Sequence, residues 1–196
     1  MSRLTRQQSH ARTREQLLAT AERMFLSNGY NATSLEAVAA EAGYSKGAVY
    51  SNFATKYDLG LEVLDRVRFA RAASLAEAVS AGGGLDERIA AFESWAQKYI
   101  GDEGWTVLEV EFATASRTID GVRTELTSRR RDVTAALAQV IDRQADELGV
   151  RLTPSGEALA VRLLAVGIGL GVQRAYDPEL PVSALVDVVR EAVSQT

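Results

Sequence analysis

Two short helical patterns separated by a single glycine constrain this chain more than any other feature. They occupy Thr33 to Lys56, TSLEAVAAEAGYSKGAVYSNFATK. Thr33 or Ser34 supplies a hydroxyl that accepts from the free N–H groups of a first helical turn. Leu35, Val38, Ala39 and Ala42 then fall on one face at helical spacing. Gly43 stands where the helix must stop and turn, a place that suits a residue with no penalty for positive φ. Ser45 caps a second helix, Lys46 to about Asn52, which turns Ala48 or Val49 and Phe53 inward. Ala39 faces that helix and must be small, because the two axes cross closely. The pattern is a helix-turn-helix over about residues 34–53, a motif whose second helix enters the DNA major groove.

The flanks sharpen this reading. Ala21, Phe25, Gly29, Tyr30 and Thr33 stand upstream, and Tyr50, Phe53, Lys56 and Leu59 downstream. Together A-x3-F-x3-GY-x2-TS-x3-VA-x2-AG-x-S-x-G-x2-Y-x2-F-x2-K-x2-L resembles the N-terminal domain of the tetracycline-repressor (TetR) family, and it runs without a gap. Two positions depart from the family pattern. Tyr44 replaces a small aliphatic residue, and Asn52 stands where an aromatic residue or His is common, which bears on the bases or phosphates reached. The resemblance implies that Lys46, Gly47, Ala48, Ser51 and Asn52 lie at or near base edges, with Ser45 heading the same helix. It implies that Thr33, Ser34, Tyr50, Lys56 and Tyr57 hold phosphates. The chemistry agrees: Gly47 permits close approach to the groove floor, and Ala48 suits a thymine methyl. Lys56 lies at a helix N-terminus, which favours an anion. Phe53 reads as core.

Net charge over the 196 residues is −4, which taken alone argues against nucleic acid. Its distribution points the other way. Residues 1–60 hold seven Lys/Arg and five Asp/Glu, a balance of +2, which leaves 15 minus 21, or −6, for the remainder. A basic head on an acidic body orients a protein approaching DNA. There is no cysteine, hence no disulfide framework and no thiolate metal site. The N-terminus lacks the apolar core of a signal peptide, and no apolar run of about eighteen residues stands out as a membrane span. These features predict a cytoplasmic protein with no membrane association. Two domains are expected: residues 11–71 for DNA and residues 72–196 for effector binding and dimerisation.

Every segment reads as helical, so an all-α fold of about nine helices is expected, with no strand. Residues 1 to about 10 read as a polar tail in which Arg3 and Arg6 are candidates to track phosphates or enter a minor groove. Helix one is predicted from about Arg12 to Ser27, and a long fourth helix from Lys56 to about Ala81. Gly82-Gly83-Gly84 breaks the chain there. Further helices are predicted near 86–100, 105–118, 122–148, 154–175 and 182–193.

The helix from Ala158 to Ala175 is apolar nearly all round, which marks burial on more than one side. Its glycines cost about 0.5–1 kcal/mol each against Ala, a cost that close approach of another backbone explains. The resemblance implies that the last two helices pair with their copies in a homodimer, placing Leu163, Gly167, Leu170, Gly171, Leu185 and Val189 at the interface. It also implies a small-molecule effector among the middle helices, where Trp95, Tyr99, Trp105, Glu109 and Phe112 are the candidate wall. Glu109 and Glu111, with no basic cluster nearby, favour an apolar or cationic aromatic ligand. One histidine and no metal-ligand spacing leave no catalytic constellation, so neither an enzyme nor a cofactor is expected. The resulting expectation is a homodimeric regulator, most simply a repressor, bound to a palindromic double-stranded operator and released by the effector. The fourth helix would be its lever. A helical ligand-binding or adaptor protein without operator binding is the alternative.

Overall fold

The structure, a computed structural model, describes residues 5–118 and 122–194; Arg3 lies outside them. Nine α-helices are present among the described residues. They are α1 (Arg6–Asn28), α2 (Leu35–Glu41), α3 (Lys46–Asn52), α4 (Lys56–Ser80), α5 (Leu85–Tyr99), α6 (Glu103–Ala115), α7 (Val122–Leu148), α8 (Gly156–Arg174) and α9 (Ser183–Ala192). The all-α expectation stands with one correction, since two short strands are present. β1 (Arg151–Leu152) and β2 (Val193–Ser194) pair antiparallel, with Arg151 opposite Ser194. Extended chain leaving α7 and α9 satisfies its backbone groups this way, and the Thr153 N–H donates to the Ala192 carbonyl at 2.8 Å.

A second correction concerns the tail. Helix α1 begins at Arg6 rather than near Arg12, because Thr5 and Gln8 form a capping box. The Gln8 N–H donates to Thr5 Oγ1 at 3.2 Å and the Thr5 N–H to Gln8 Oε1 at 2.9 Å. Arg6 and His10 are therefore exposed helical residues.

The described residues form two compact units. The first comprises the chain up to Phe69 together with Val107–Thr118; the second comprises Ala70–Thr106 and the residues from 119 onward. In the first unit, Leu17, Ala21, Phe25, Val38, Ala39, Val49, Phe53, Leu59 and Val63 are buried. Leu108 and Phe112 of α6 join them, Phe112 being only 1% exposed. Its ring meets Tyr30 edge-on at 5.2 Å and stacks on Tyr57 at 5.3 Å, while Phe25 meets Tyr30 at 5.3 Å. Gly60 makes this packing possible: a Cβ there would lie 2.6 Å from Tyr30 Cε2 and 2.8 Å from Phe112 Cε2.

The second unit has its own core, with Ile89, Phe92 and Ala96 of α5, Leu159, Leu163 and Leu170 of α8, and Leu185 and Val186 of α9. Arg174 is buried in it, yet fully engaged. Its guanidinium donates to the Ile100 carbonyl at 2.7 Å, to the Gln97 carbonyl at 3.4 Å and to the Leu180 carbonyl. Helix α8 corrects one further expectation. By length and composition it is apolar enough to cross a membrane. Within the unit, Leu159, Ala160, Leu163, Leu170 and Gly171 are buried by the chain itself.

Candidate nucleic-acid interface and effector cavity

Local capping chemistry builds the first of the two sites. Ser34 Oγ accepts from the Ala37 N–H at 3.1 Å to start α2, and Ser45 Oγ accepts from the Ala48 N–H at 3.3 Å to start α3. Gly43 between them adopts φ +76°, the left-handed conformation the turn requires. Thr55 and Asp58 cap α4 reciprocally: the Asp58 N–H donates to Thr55 Oγ1 at 3.1 Å and the Thr55 N–H to Asp58 Oδ2 at 2.9 Å. Val49 and Phe53 then anchor α3 in the core and leave Ser45, Lys46, Gly47, Tyr50 and Ser51 exposed. Ala48 is half-buried on the same helix.

A concavity of about 320 Å³ lies beside this face, lined by Asn31, Ser34, Glu36, Tyr50, Thr55 and Lys56 among others. The Lys56 Nζ donates to the Asn31 carbonyl at 3.2 Å and sits 4.3 Å from the centre of the Tyr30 ring. Burial lowers the Lys56 pKa, and the Glu111 carboxylate partly opposes that shift. Glu111 Oε2 itself accepts from the Asn31 N–H at 3.0 Å. It fits because Gly29 has no Cβ, which would stand 2.8 Å from that oxygen. On the other side of the concavity, Glu36 Oε1 lies 2.7 Å from Lys46 Nζ and accepts from the Tyr50 hydroxyl at 3.0 Å. These bonds, Lys46 first, hold the Glu36 pKa down at about 2.

Three predicted contacts are placed otherwise. Thr33 is 2% exposed and its hydroxyl donates to the Gly29 carbonyl at 2.9 Å, so it fixes the α1–α2 turn. Tyr57 is buried with its ring stacked on Phe112, which makes it a core residue. The Asn52 side-chain amide donates to the Ala48 carbonyl at 2.8 Å, turned toward its own helix, and its Oδ1 is buried without a partner. Sequence reasoning missed Glu36 and Asn31. An acidic residue in a first helical turn is ordinarily read as complementing the helix dipole, and that reading hides Glu36.

The effector residues do not converge. Trp95 and Tyr99 are 5.3 Å apart by ring centroid, and the Arg71 guanidinium lies 5.3 Å from Tyr99 and 5.1 Å from Trp105. Tyr99 and Trp105 therefore flank Arg71 in the second unit, with Trp95 set against Tyr99. Phe112 and Glu109 belong to the first unit, where Glu109 pairs with Arg68 at 2.8 Å. Helical geometry causes the separation, because α6 gives Trp105 to one unit and Glu109 and Phe112 to the other. An apolar cavity of about 110 Å³ does exist in the second unit, but none of the five lines it. Its walls include Leu75, Val79, Phe92, Leu137, Ile141 and Leu159. Arg88 and Gln144 are its polar edge; Arg88 donates to Gln144 at 2.5 Å, to Glu147 at 2.8 Å and to the Gly82 carbonyl at 3.2 Å.

The predicted dimer residues also face inward. Leu163, Leu170, Gly171 and Leu185 are buried, and Leu163 and Val189 line the cavity. A Cβ at Gly171 would meet Gly101 N and Thr106 Oγ1 at 3.8 Å; one at Gly167 would meet Ile100 at 3.8 Å and Leu185 at 3.9 Å. The glycines admit neighbours from the same chain. The apolar face that α8 leaves exposed runs instead through Val161, Ala165, Ile168 and Val172, with Ile168 55% exposed.

Residues 17–63, which run from α1 through the capped helix-turn-helix into α4, match the family model described as bacterial regulatory proteins, tetR family. The match covers the helix-turn-helix head, so that segment is similar to a TetR-type DNA-binding domain. Over 59 residues it is 41% identical to the HTH-type transcriptional repressor BepR of Brucella suis biovar 1 (strain 1330). That stretch covers 30% of this chain and 28% of BepR, so the TetR-type head carries the sequence likeness. The fold likeness is wider. The reduced form of E. coli NemR has a TM-score of 0.72 at 23% identity, covering 94% of this chain and 100% of NemR. SmeT in its triclosan complex has a TM-score of 0.64 at 23% identity, covering 94% of this chain and 93% of SmeT.

Proposed function

We propose that this chain is a cytoplasmic TetR-family transcriptional repressor that binds a palindromic operator as a homodimer and leaves it when a small molecule binds. The observation that carries the reading is the exposed face of α3. Lys46, Gly47, Tyr50 and Ser51 stand clear of the core beside the Ser34–Lys56 concavity, which suits base edges on one side and phosphates on the other. Two such helices must lie about 34–36 Å apart to enter successive major-groove turns. The exposed Val161–Ile168–Val172 face of α8 is the surface on which a second copy would pack.

The effector seat is the apolar cavity of the second unit. At about 110 Å³ it is smaller than the ~150 Å³ engineered apolar cavity that binds benzene, so a ligand of at most one aromatic ring suits it. An uncharged molecule suits it, because Arg88 is already occupied and the walls offer no counter-charge. The cationic ligand expected from Glu109 and Glu111 loses its basis, as both carboxylates lie in the DNA-binding unit. The similarly folded SmeT forms a complex with triclosan. Footprinting on the DNA upstream of its own gene tests the reading. A protected, two-fold symmetric site released by a small neutral aromatic is expected. Absence of protection, with ligand binding intact, would favour a helical ligand-binding protein without operator binding.

A further inference from the structure

We infer that Glu36 is a specificity-determining residue of the DNA-reading face, one that occupies Lys46 and Tyr50 until a cognate sequence displaces it. The inference rests on the proposed DNA binding and adds a residue that the family resemblance does not supply.

Glu36 is not the cap of its helix. Helix α2 is already capped by Ser34, whose Oγ accepts from the Ala37 N–H. The Glu36 carboxylate reaches across to α3, where one oxygen takes both the Lys46 ammonium at 2.7 Å and the Tyr50 hydroxyl at 3.0 Å. Lys46 Nζ also lies 5.7 Å from the Tyr50 ring centre, so the three side chains form one cluster. An exposed ion pair of this kind contributes little to folding. Its position matters more than its strength. The same carboxylate lines the concavity that Ser34, Thr55 and Lys56 present to a phosphate. A fixed negative charge there opposes the approach of any duplex, and Glu36 remains ionised throughout the working pH range.

On a random duplex, Lys46 has no base partner worth leaving Glu36 for, and the protein loses one potential phosphate contact. On a cognate site, Lys46 can move to the O6 and N7 of a guanine, and Tyr50 to a phosphate. The carboxylate thus penalises the wrong sequence more than the right one, which is how a repulsive element produces discrimination.

The test compares wild type with Glu36→Gln, which keeps the shape and removes the charge, and with Glu36→Ala. The probes are sonicated random duplex DNA and the tightest duplex that wild type selects from a random pool. Freeing one cation for phosphate adds about 0.9 to the magnitude of the salt slope, equivalent to about eightfold tighter binding at 0.1 M salt. Both variants should show that gain on random DNA, a smaller gain on the selected duplex, and a correspondingly lower ratio between the two. Weaker or unchanged binding to random DNA overturns the inference. An equal gain on both duplexes also overturns it, because Glu36 would then set affinity without discrimination. If wild type itself shows no salt-dependent binding to any duplex, the proposed DNA binding falls and this inference falls with it.

Discussion

Glu36, Lys46 and Lys56 are charged side chains whose surroundings differ enough to be told apart in solution. Lys46 is the first cause of the low Glu36 pKa, so Lys46→Ala should let Glu36 titrate nearer its ordinary 4.5 than about 2. Carboxyl NMR titration of the two proteins reads this directly. The linkage has a definite sign. A carboxylate whose folded-state pKa is depressed contributes stability above its unfolded value and loses it as pH falls, here between 4.5 and about 2. Lys56→Ala is expected to weaken operator binding and reduce the magnitude of the salt slope by about one, measured by titrating salt against affinity. The residues the sequence identified correctly here are those with local jobs. Ser34, Gly43 and Ser45 cap or turn the chain within four positions of their partners. Thr33 and Asn52 also bond within four positions, to the Gly29 and Ala48 carbonyls, but a polar side chain in the sequence does not show whether it turns to its own backbone or outward. Tyr57 instead packs on Phe112, which is too distant in sequence for spacing to reveal.

Among the elements, α6 and α8 depart furthest from what periodicity suggests. Both are helices, as expected, but a stripe of apolar residues does not say which neighbour covers it. Phe112 of α6 fills the space between Tyr30 and Tyr57, and Gly60 on α4 leaves room for it. Gly60→Ala forces a methyl into that contact and should destabilise the first unit by about 1–3 kcal/mol, read from denaturant midpoints at constant m. On α8 the glycines suggested a seam between subunits, whereas Gly167 and Gly171 receive Ile100, Leu185, Gly101 and Thr106 of the same chain. Two variants separate these readings. Ile168→Glu should leave the fold intact and yield monomers in sedimentation at micromolar concentration. Gly171→Leu should instead lower the thermal midpoint independently of protein concentration, because the added side chain overlaps its own α5–α6 turn.

For the molecule as a whole, the charge division and the cavity carry the functional consequences. In the proposed function, the +2 balance of residues 1–60 against −6 for the remainder turns the α3 side toward an approaching duplex, an effect that salt weakens. If the cavity of the second unit is the effector seat, ligand and operator must oppose each other reciprocally, commonly by about 5–150-fold. Toluene, as a neutral probe, should raise the thermal midpoint of the free protein, whereas benzylammonium and benzoate should not. Ala145→Leu places extra carbons at the cavity wall and should abolish the toluene response while operator affinity persists; loss of both would point to misfolding, and retention of both to another seat. The predominantly helical class and the helix order were readable because each follows from local periodicity and capping. The location of the cavity was not, since it forms where α4, α5, α7, α8 and α9 meet and belongs to no single stretch.

The head's third wall comes from Val107–Thr118, far along the chain from α1 to α3. Anyone building chimeric regulators by exchanging N-terminal segments therefore faces a splicing problem. A transplant cut near residue 71 carries Tyr30, Tyr57 and Gly60 but leaves Leu108 and Phe112 behind, and the recipient must supply residues of matching shape. Exchanging this head as a self-sufficient module requires three junctions, after Phe69, before Val107 and after Thr118, where a linear map of the gene suggests one.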